Sequence, residues 1–377
     1  MAIFLLLAAW LLAGCAPGRQ IEAALVLADL AAGEAPSRLK ERTPPPVRQE
    51  VGFSVAGRPY LADIYQSPAG TVAALLLLPG AAEEGKNDPR LVAFAETLAR
   101  ARFAVVVPDL PSLRRQRVEA GNIQEMVDAF SWMISRPELA PAGRGGMVAF
   151  SYAVGPAILA AMESDIRQRV QMVFAIGGYF DLSETLAFIT TGWFRHRGGW
   201  RQLEPNAYGT WVFVLGNLHR IEDEQDRALL RAMTERKMDD PAAPVDDLAA
   251  PLGPEGLAVY ALLVNRDPRR TPLLLRELPS SIRAEIAALD LAGARLERLS
   301  AQLLLVHGYD DDIIPFSQSV QLAQAVPPEQ AEIYLVHGLM HVDLHPSWRD
   351  LWRLLGAVTA LLRQRDLLAD QPLPPAD

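Results

Sequence analysis

The sequence predicts an α/β protein: a mostly parallel central sheet, helices on both faces, and one large, mainly helical insertion. Three observations predict it. Short continuous apolar runs recur, as expected of strands buried on both faces. They alternate with helical stretches, the arrangement that crossover connections between parallel strands require. The alternation then stops from Leu182 to about Arg298 and resumes to the end of the chain.

The core begins at Glu50. Val51 to Val55 and Tyr60 to Tyr65 alternate in polarity around Gly57 and predict a hairpin. Val72 to Leu78 is a continuous apolar run ending in Pro79-Gly80, and Asp88-Pro89 supplies a cap and first-turn proline for a helix to about Arg102. Phe103 to Val107 predicts a strand, Ile123 to Ser135 a helix, Met147 to Phe150 a strand, Tyr152 to Glu163 a helix and Val170 to Ile176 a strand. After the insertion come a strand (Ala301 to Val306), a helix (Ser317 to Ala325), a strand (Ala331 to Val336) and a last helix (Pro346 to about Leu362). The domain reading is therefore a core of residues 50–182 and 300–365, an insertion of 183–299 and a tail of 366–377.

The N-terminus reads differently. Ile3 to Leu12 is almost wholly apolar; it is too short for the roughly 20 residues that span a bilayer but suits a signal-peptide core. It ends in Leu12-Ala13-Gly14-Cys15, which resembles a bacterial lipoprotein lipobox. That resemblance implies a signal peptide over residues 1–14, a diacylglycerol on the Cys15 sulfur, and a cell-envelope location. The location would be on the periplasmic side, with Ala16 favouring the outer membrane. The bland alternative is a buried segment holding an incidental cysteine, and no basic residue precedes Ile3. Residues 15–49 then read as anchor and proline-rich linker: Ile21 to Leu30 forms a short helix, and Pro44-Pro45-Pro46 favours an extended tether or an arm lying on the body.

Composition excludes some functions. The net charge of −9 argues against nucleic-acid binding, which needs a basic surface. Cys15 is the only cysteine, so a mature chain anchored there has no disulfide. The sequence is silent on oligomeric state.

Ser151 is the first candidate for chemistry. It stands between a predicted buried strand and a helix, where a tight turn holds a nucleophile above the sheet. The positions two before and two after must be small; here they are Ala149 and Ala153. Pro79-Gly80-Ala81-Ala82 ends an earlier strand, so the N–H groups of Ala81 and Tyr152 are candidate oxyanion donors. A serine hydroxyl needs an imidazole to accept its proton, and the imidazole needs a carboxylate to fix its tautomer. Candidates for both follow the last two strands, in the segments 307–315 and 337–343. All sit at C-terminal strand ends, where sites form in open α/β sheets.

With these residues in this order the chain resembles the α/β-hydrolase superfamily over residues 50–181 and 300–363. Members often read His-Gly-x-x-Asp-x-x-x-Pro at the acid loop, matched here by His307, Gly308, Asp311 and Pro315. The resemblance implies a catalytic triad of Ser151, Asp311 and His341, with Asp181 as fallback acid and Asp310 and Asp312 as solvated loop charges. Two departures stand out: the turn lacks both usual glycines, and Pro-Gly replaces the frequent His-Gly. By position the insertion resembles a cap. Trp193, Phe194, Trp200, Trp211 and Phe213 either line a cavity beneath it or form its own small core.

Other residues have competing readings. His337, His341, Asp343 and His345 form a dense cluster that could suggest zinc, but Gly338 breaks the helical face such a pair needs. We therefore expect no metal and no cofactor. His307 reads as a structural strand-end residue, and His196 and His219, in the insertion, either line a pocket or, the favoured reading, face solvent. The expected function is a serine hydrolase cleaving an ester, thioester or related acyl bond of a small-molecule substrate through an acyl-enzyme. The alternative is a non-catalytic envelope lipoprotein that binds a small molecule or protein.

Overall fold

The structure is a computed structural model that describes residues 17–340, 343–344 and 350–370. Its centre is an eight-stranded sheet. In chain order the strands are β1 (Val47–Val55), β2 (Arg58–Gln66), β3 (Ala73–Leu78), β4 (Phe103–Pro108), β5 (Gly145–Phe150), β6 (Val170–Ile176), β7 (Gln302–Gly308) and β8 (Ala331–Val336). Across the sheet they run β1-β2-β4-β3-β5-β6-β7-β8, with β2 antiparallel to both neighbours and every pair from β4 to β8 parallel. The central strands are buried along their length because Leu, Val, Ala and Phe fill both faces. Every strand predicted from the sequence is present within a few residues of its expected ends.

The strand order creates the place for a site. The chain passes from β3 outward to β4, then back across β3 to β5, so β3 and β5 are neighbours whose following connections diverge. Open α/β sheets bind ligands at such a switch, beyond the C-terminal strand ends. Pro79 leaves β3 there, and Ser151 leaves β5.

Helices cover both faces. On one lie α1 (Pro17–Ala32), α2 (Pro89–Arg100) and the C-terminal helix; on the other, α3 (Gly121–Ile134) and α4 (Val154–Ala161). Between β6 and β7 run α5 (Leu182–Thr191), a hairpin of Trp193–His196 with Gly199–Gln202, α6 (Ala207–Asn217), α7 (Glu224–Asp239), α8 (Pro254–Leu263), α9 (Thr271–Glu277) and α10 (Ser280–Leu289). Then come α11 (Ser317–Gln324) and α12 (Leu351–Asp370). Much of the inserted segment packs on itself: Trp211, Leu230, Met233, Leu262 and Ile282 are buried in one cluster. The hairpin escaped prediction because its four-residue strands are too short to show alternation. Its turn uses left-handed Arg197 and Gly198.

The N-terminal segment resolves the choice between tether and arm in favour of the arm. Helix α1 is docked by ion pairs to the far end of α12, Arg19 with Asp366 and Arg365 with Glu22. The fully buried Asp29 accepts from the Thr97 hydroxyl of α2 at 2.7 Å. Arg100 donates to the carbonyls of Thr43 and Pro44, fixing the proline run. These pairings also correct the expected tail: the last helix runs to Asp370, because Arg365 and Asp366 are tied to α1. The expected signal peptide and Cys15 lie outside the described residues. Among those residues no helix is long and apolar enough to cross a membrane.

The turn from β5 into α4 is packed without slack. A methyl group at Gly155 would lie 1.9 Å from the Tyr179 hydroxyl oxygen, and one at Gly178 would lie 2.4 Å from a Val154 methyl. Ala149 and Ala153, the small residues flanking the turn, are themselves fully buried. Gly155→Ala should lower stability by about 1–3 kcal/mol through overpacking, read by urea denaturation. Combining it with Tyr179→Leu should cost less than the sum of the two single changes. Strict additivity would contradict this packing account.

Candidate active site

Ser151 has a left-handed backbone, φ +54°, and is 5 % exposed. A non-glycine residue pays conformational energy there, of order 1–3 kcal/mol, and holds the conformation only when its surroundings impose it. Here they do. Strand β5 ends at Phe150, a 3₁₀ turn covers Ser151–Ala153, and α4 begins at Val154. The abrupt change of direction lifts the hydroxyl off the sheet and leaves the Tyr152 N–H in the first turn of a helical segment, where N–H groups lack an intrahelical acceptor.

The loop after β3 passes beside it. A Cβ built on Gly80 would lie 3.5 Å from the Ser151 Cβ and 3.6 Å from the Phe150 carbonyl oxygen, ordinary contact distances. Ala82 donates back to the Gly80 carbonyl at 2.9 Å, which curls the loop and leaves Ala81 at its bend. Among the described residues neither the Ala81 N–H nor the Tyr152 N–H has an acceptor. Both residues, with Ser151 and Gly80, line a cavity of about 900 Å³. Two N–H groups beside a buried hydroxyl are what a developing oxyanion requires.

Asp311 is 1 % exposed. Its Oδ1 accepts from the N–H groups of Ile313 and Ile314, both at 2.9 Å, which fixes the carboxylate plane. Its Oδ2 lies 3.4 Å from His307 Nε2. His307 is fully buried; its Nε2 faces the Ile314 carbonyl at 2.8 Å and its Nδ1 faces the Ser319 hydroxyl at 2.7 Å. A carbonyl can only accept, so Nε2 carries the proton and Nδ1 accepts from Ser319. His307 thus braces the loop that carries the carboxylate. The negative charge of Asp311 also reaches Tyr152: burial, and secondarily that charge, raise the phenol above its ordinary pKa and keep it neutral.

Two neighbouring aspartates are not the solvated charges expected. Asp310 accepts from the Gly338 N–H with both oxygens, at 3.2 and 3.0 Å, and so ties the acid loop to the chain leaving β8. Asp312 accepts from Asn206 through its carbonyl at 2.8 Å and its carboxylate at 3.3 Å, tying the same loop to the inserted segment. Sequence spacing could mark Asp311 but not these roles, since their partners are remote. Gly308 is required for a related reason: a Cβ there would fall 1.9 Å from the Leu339 carbonyl oxygen. Leu339, Ser151, Asp312 and Ile313 share the 900 Å³ cavity. The chain two residues before His341 therefore borders the space above Ser151; His341 itself lies outside the described residues.

The remaining candidates have plainer roles. Asp181 caps α5, accepting from the Glu184 N–H at 2.9 Å. His337 stacks 4.6 Å from Tyr309 and faces Asp350 at 3.6 Å. His345 and the Asp343 side chain lie outside the described residues; among those described, no group of three potential metal ligands converges. His196 packs edge-on against Phe316. His219 approaches Glu119 at 3.6 Å. Burial, followed by neighbouring arginines, lowers the pKa of both imidazoles. Of the insertion aromatics, Trp211 and Phe194 are core, Trp200 is surface-exposed under Arg195, and Phe213 reaches a second cavity. That cavity measures about 80 Å³ and includes Ala81 and Tyr152 in its wall.

No model of a known protein family matches the chain, and no curated protein matches it. Solved structures do match. A putative hydrolase from Legionella pneumophila is 14 % identical, with 87 % of this chain and 93 % of that one covered at a TM-score of 0.50. Dienelactone hydrolase from Anabaena variabilis is 16 % identical, covering 86 % and 96 % at 0.42. An esterase from Pyrococcus furiosus is 13 % identical, covering 84 % and 91 % at 0.46. Identities this low speak to fold alone. With the strand order and the strand-to-helix turn at Ser151, the first of these likenesses establishes that the chain has the α/β-hydrolase fold.

Proposed function

We propose that the protein is a serine hydrolase acting on an ester, thioester or related acyl bond. The observation that carries the reading is the left-handed Ser151, buried at a strand-to-helix turn beside two N–H groups that have no acceptor among the described residues. In this reading the Ser151 hydroxyl adds to the acyl carbon as His341 takes its proton. The Ala81 and Tyr152 N–H groups hold the resulting oxyanion, each worth on the order of 3 kcal/mol in the transition state. The tetrahedral species collapses, His341 passes the proton to the leaving group, and the acyl group remains on the Ser151 oxygen. Water then adds to the acyl-enzyme, His341 accepting its proton. Collapse releases the acid and restores the serine. Asp311 orients His341 and stabilises its charged form. The rigid seating of Asp311 supports that role, and no cofactor is needed.

The altered turn does not weaken this reading. Its alanines are fully buried and accommodated, and Pro-Gly before Ala81 still brings the loop against Ser151. With an acyl ester that the protein cleaves, Ser151→Ala and His341→Ala should each lower kcat by about 10⁴-fold or more, and the double variant hardly further, since the residues act as one unit. Unaltered turnover in Ser151→Ala would refute the mechanism.

We propose also that Cys15 carries the lipid anchor, on the strength of the Leu-Ala-Gly-Cys segment and the apolar run before it. The protein would then be held at the cell envelope, periplasmic side, outer membrane favoured. Cells fed a labelled fatty acid should label the wild type, and Cys15→Ala should abolish the label and release the protein from the membrane fraction. Equal labelling of the variant would remove the anchor from the account.

A further inference from the structure

The 900 Å³ cavity is larger than a small acyl substrate needs. Besides the part that Asn206, Gly209 and Val212 of the inserted segment line, its wall includes Phe150, Phe174 and residues of α1, α2 and α12. There Leu30, Phe94, Val358 and Leu361 form its wall. An apolar cavity of about 150 Å³ suffices for a six-carbon ring, so this crevice has room for a chain of well over ten carbons. The second cavity, about 80 Å³ and walled in part by Ala81 and Tyr152, does not. Arg90, the one cation among the described wall residues, is paired through its Nη2 with Asp88 at 2.9 Å, so the crevice offers an anionic chain end no independent counter-charge. The wall is built rather than loosely apposed. Helix α1, which contributes Leu27 and Leu30, is fixed to α2 through Asp29 and Thr97 and to α12 through Glu22 and Arg365.

We propose that this crevice seats a long, linear acyl chain, so that the substrate class is a long-chain fatty acyl ester. The carbonyl then lies at Ser151 and the methyl end points toward α1. The reaction part rests on the hydrolase reading; the chain-binding part does not.

Both parts are tested together. Ser151→Ala, which cannot turn substrate over, should bind a fluorescent fatty acid of about sixteen carbons saturably. An acid of similar length should displace the probe, and one of about four carbons should not. In the otherwise native protein, kcat/KM for esters should rise about fourfold per methylene over the range of roughly four to ten acyl carbons. Ala93→Trp, which fills the crevice from α2, and Leu30→Trp, which fills it from α1, should each weaken the probe at least tenfold. Each should also lower the long-to-short ratio of kcat/KM by a similar factor, in protein shown to be folded by its thermal transition. Probe binding that both fillings abolish, without any ester hydrolysis, would keep the chain site and reject the hydrolase. Hydrolysis confined to short esters, with no probe binding, would reject the chain site and keep the hydrolase. A length profile unmoved by either filling would overturn the proposal.

Discussion

The geometry of the site depends on one strained backbone conformation, the left-handed turn at Ser151. Left to itself, a serine there would relax toward an ordinary strand or helix value, regaining roughly 1–3 kcal/mol. Packing on every side prevents it. β5 is held between β3 and β6, Ala149 and Ala153 are fully buried, and α4 is locked against the β6 exit where Gly155 meets Tyr179 and Gly178 meets Val154. Tyr179 is itself fixed by donating to the Leu289 carbonyl at 3.0 Å. The same turn raises the hydroxyl, bares the Tyr152 N–H and makes room for the Gly80 loop. One constraint therefore sets the position of three groups.

The second support is the way the connecting loops are tied to one another. The acid loop after β7 is braced from below by His307 and Ser319, joined to the chain leaving β8 through Asp310, and joined to the inserted segment through Asp312. Charge is used for cohesion here: each carboxylate accepts from N–H donors. The buried bonds that Asp311 accepts from Ile313 and Ile314 hold most firmly, since a hydrogen bond to a charged group contributes about 1.5–3 kcal/mol where water is excluded. A loop bound at three points can present Asp311 in one orientation, as a group acting through a neighbouring imidazole must be presented.

The sheet, its order of elements, and the placing of Ser151 and Asp311 at C-terminal strand ends were legible because they depend on local pattern: apolar runs, turn residues, motif spacing. What stayed hidden depends on partners remote in sequence. Nothing near Glu22 announces Arg365, so the helix legible at Ile21 to Leu30 was placed in an anchor and linker segment, whereas it docks on the body as a wall of the cavity. Asp310 and Asp312 look like surface charges until Gly338 and Asn206 arrive beside them. The departures from the resembled pattern were legible as departures. A further tight contact, Gly155 against a tyrosine that follows another strand, had no local signal in the sequence.

The most direct measurement is a crystal structure of the protein after reaction with a fluorophosphonate. The account predicts a covalent bond from the Ser151 oxygen to phosphorus. It also predicts the phosphoryl oxygen about 2.7–3.1 Å from the backbone nitrogens of both Ala81 and Tyr152, with the His341 imidazole within hydrogen-bonding reach of the serine oxygen. A folded protein that forms no adduct at Ser151, or an adduct whose phosphoryl oxygen turns away from both nitrogens, would contradict it.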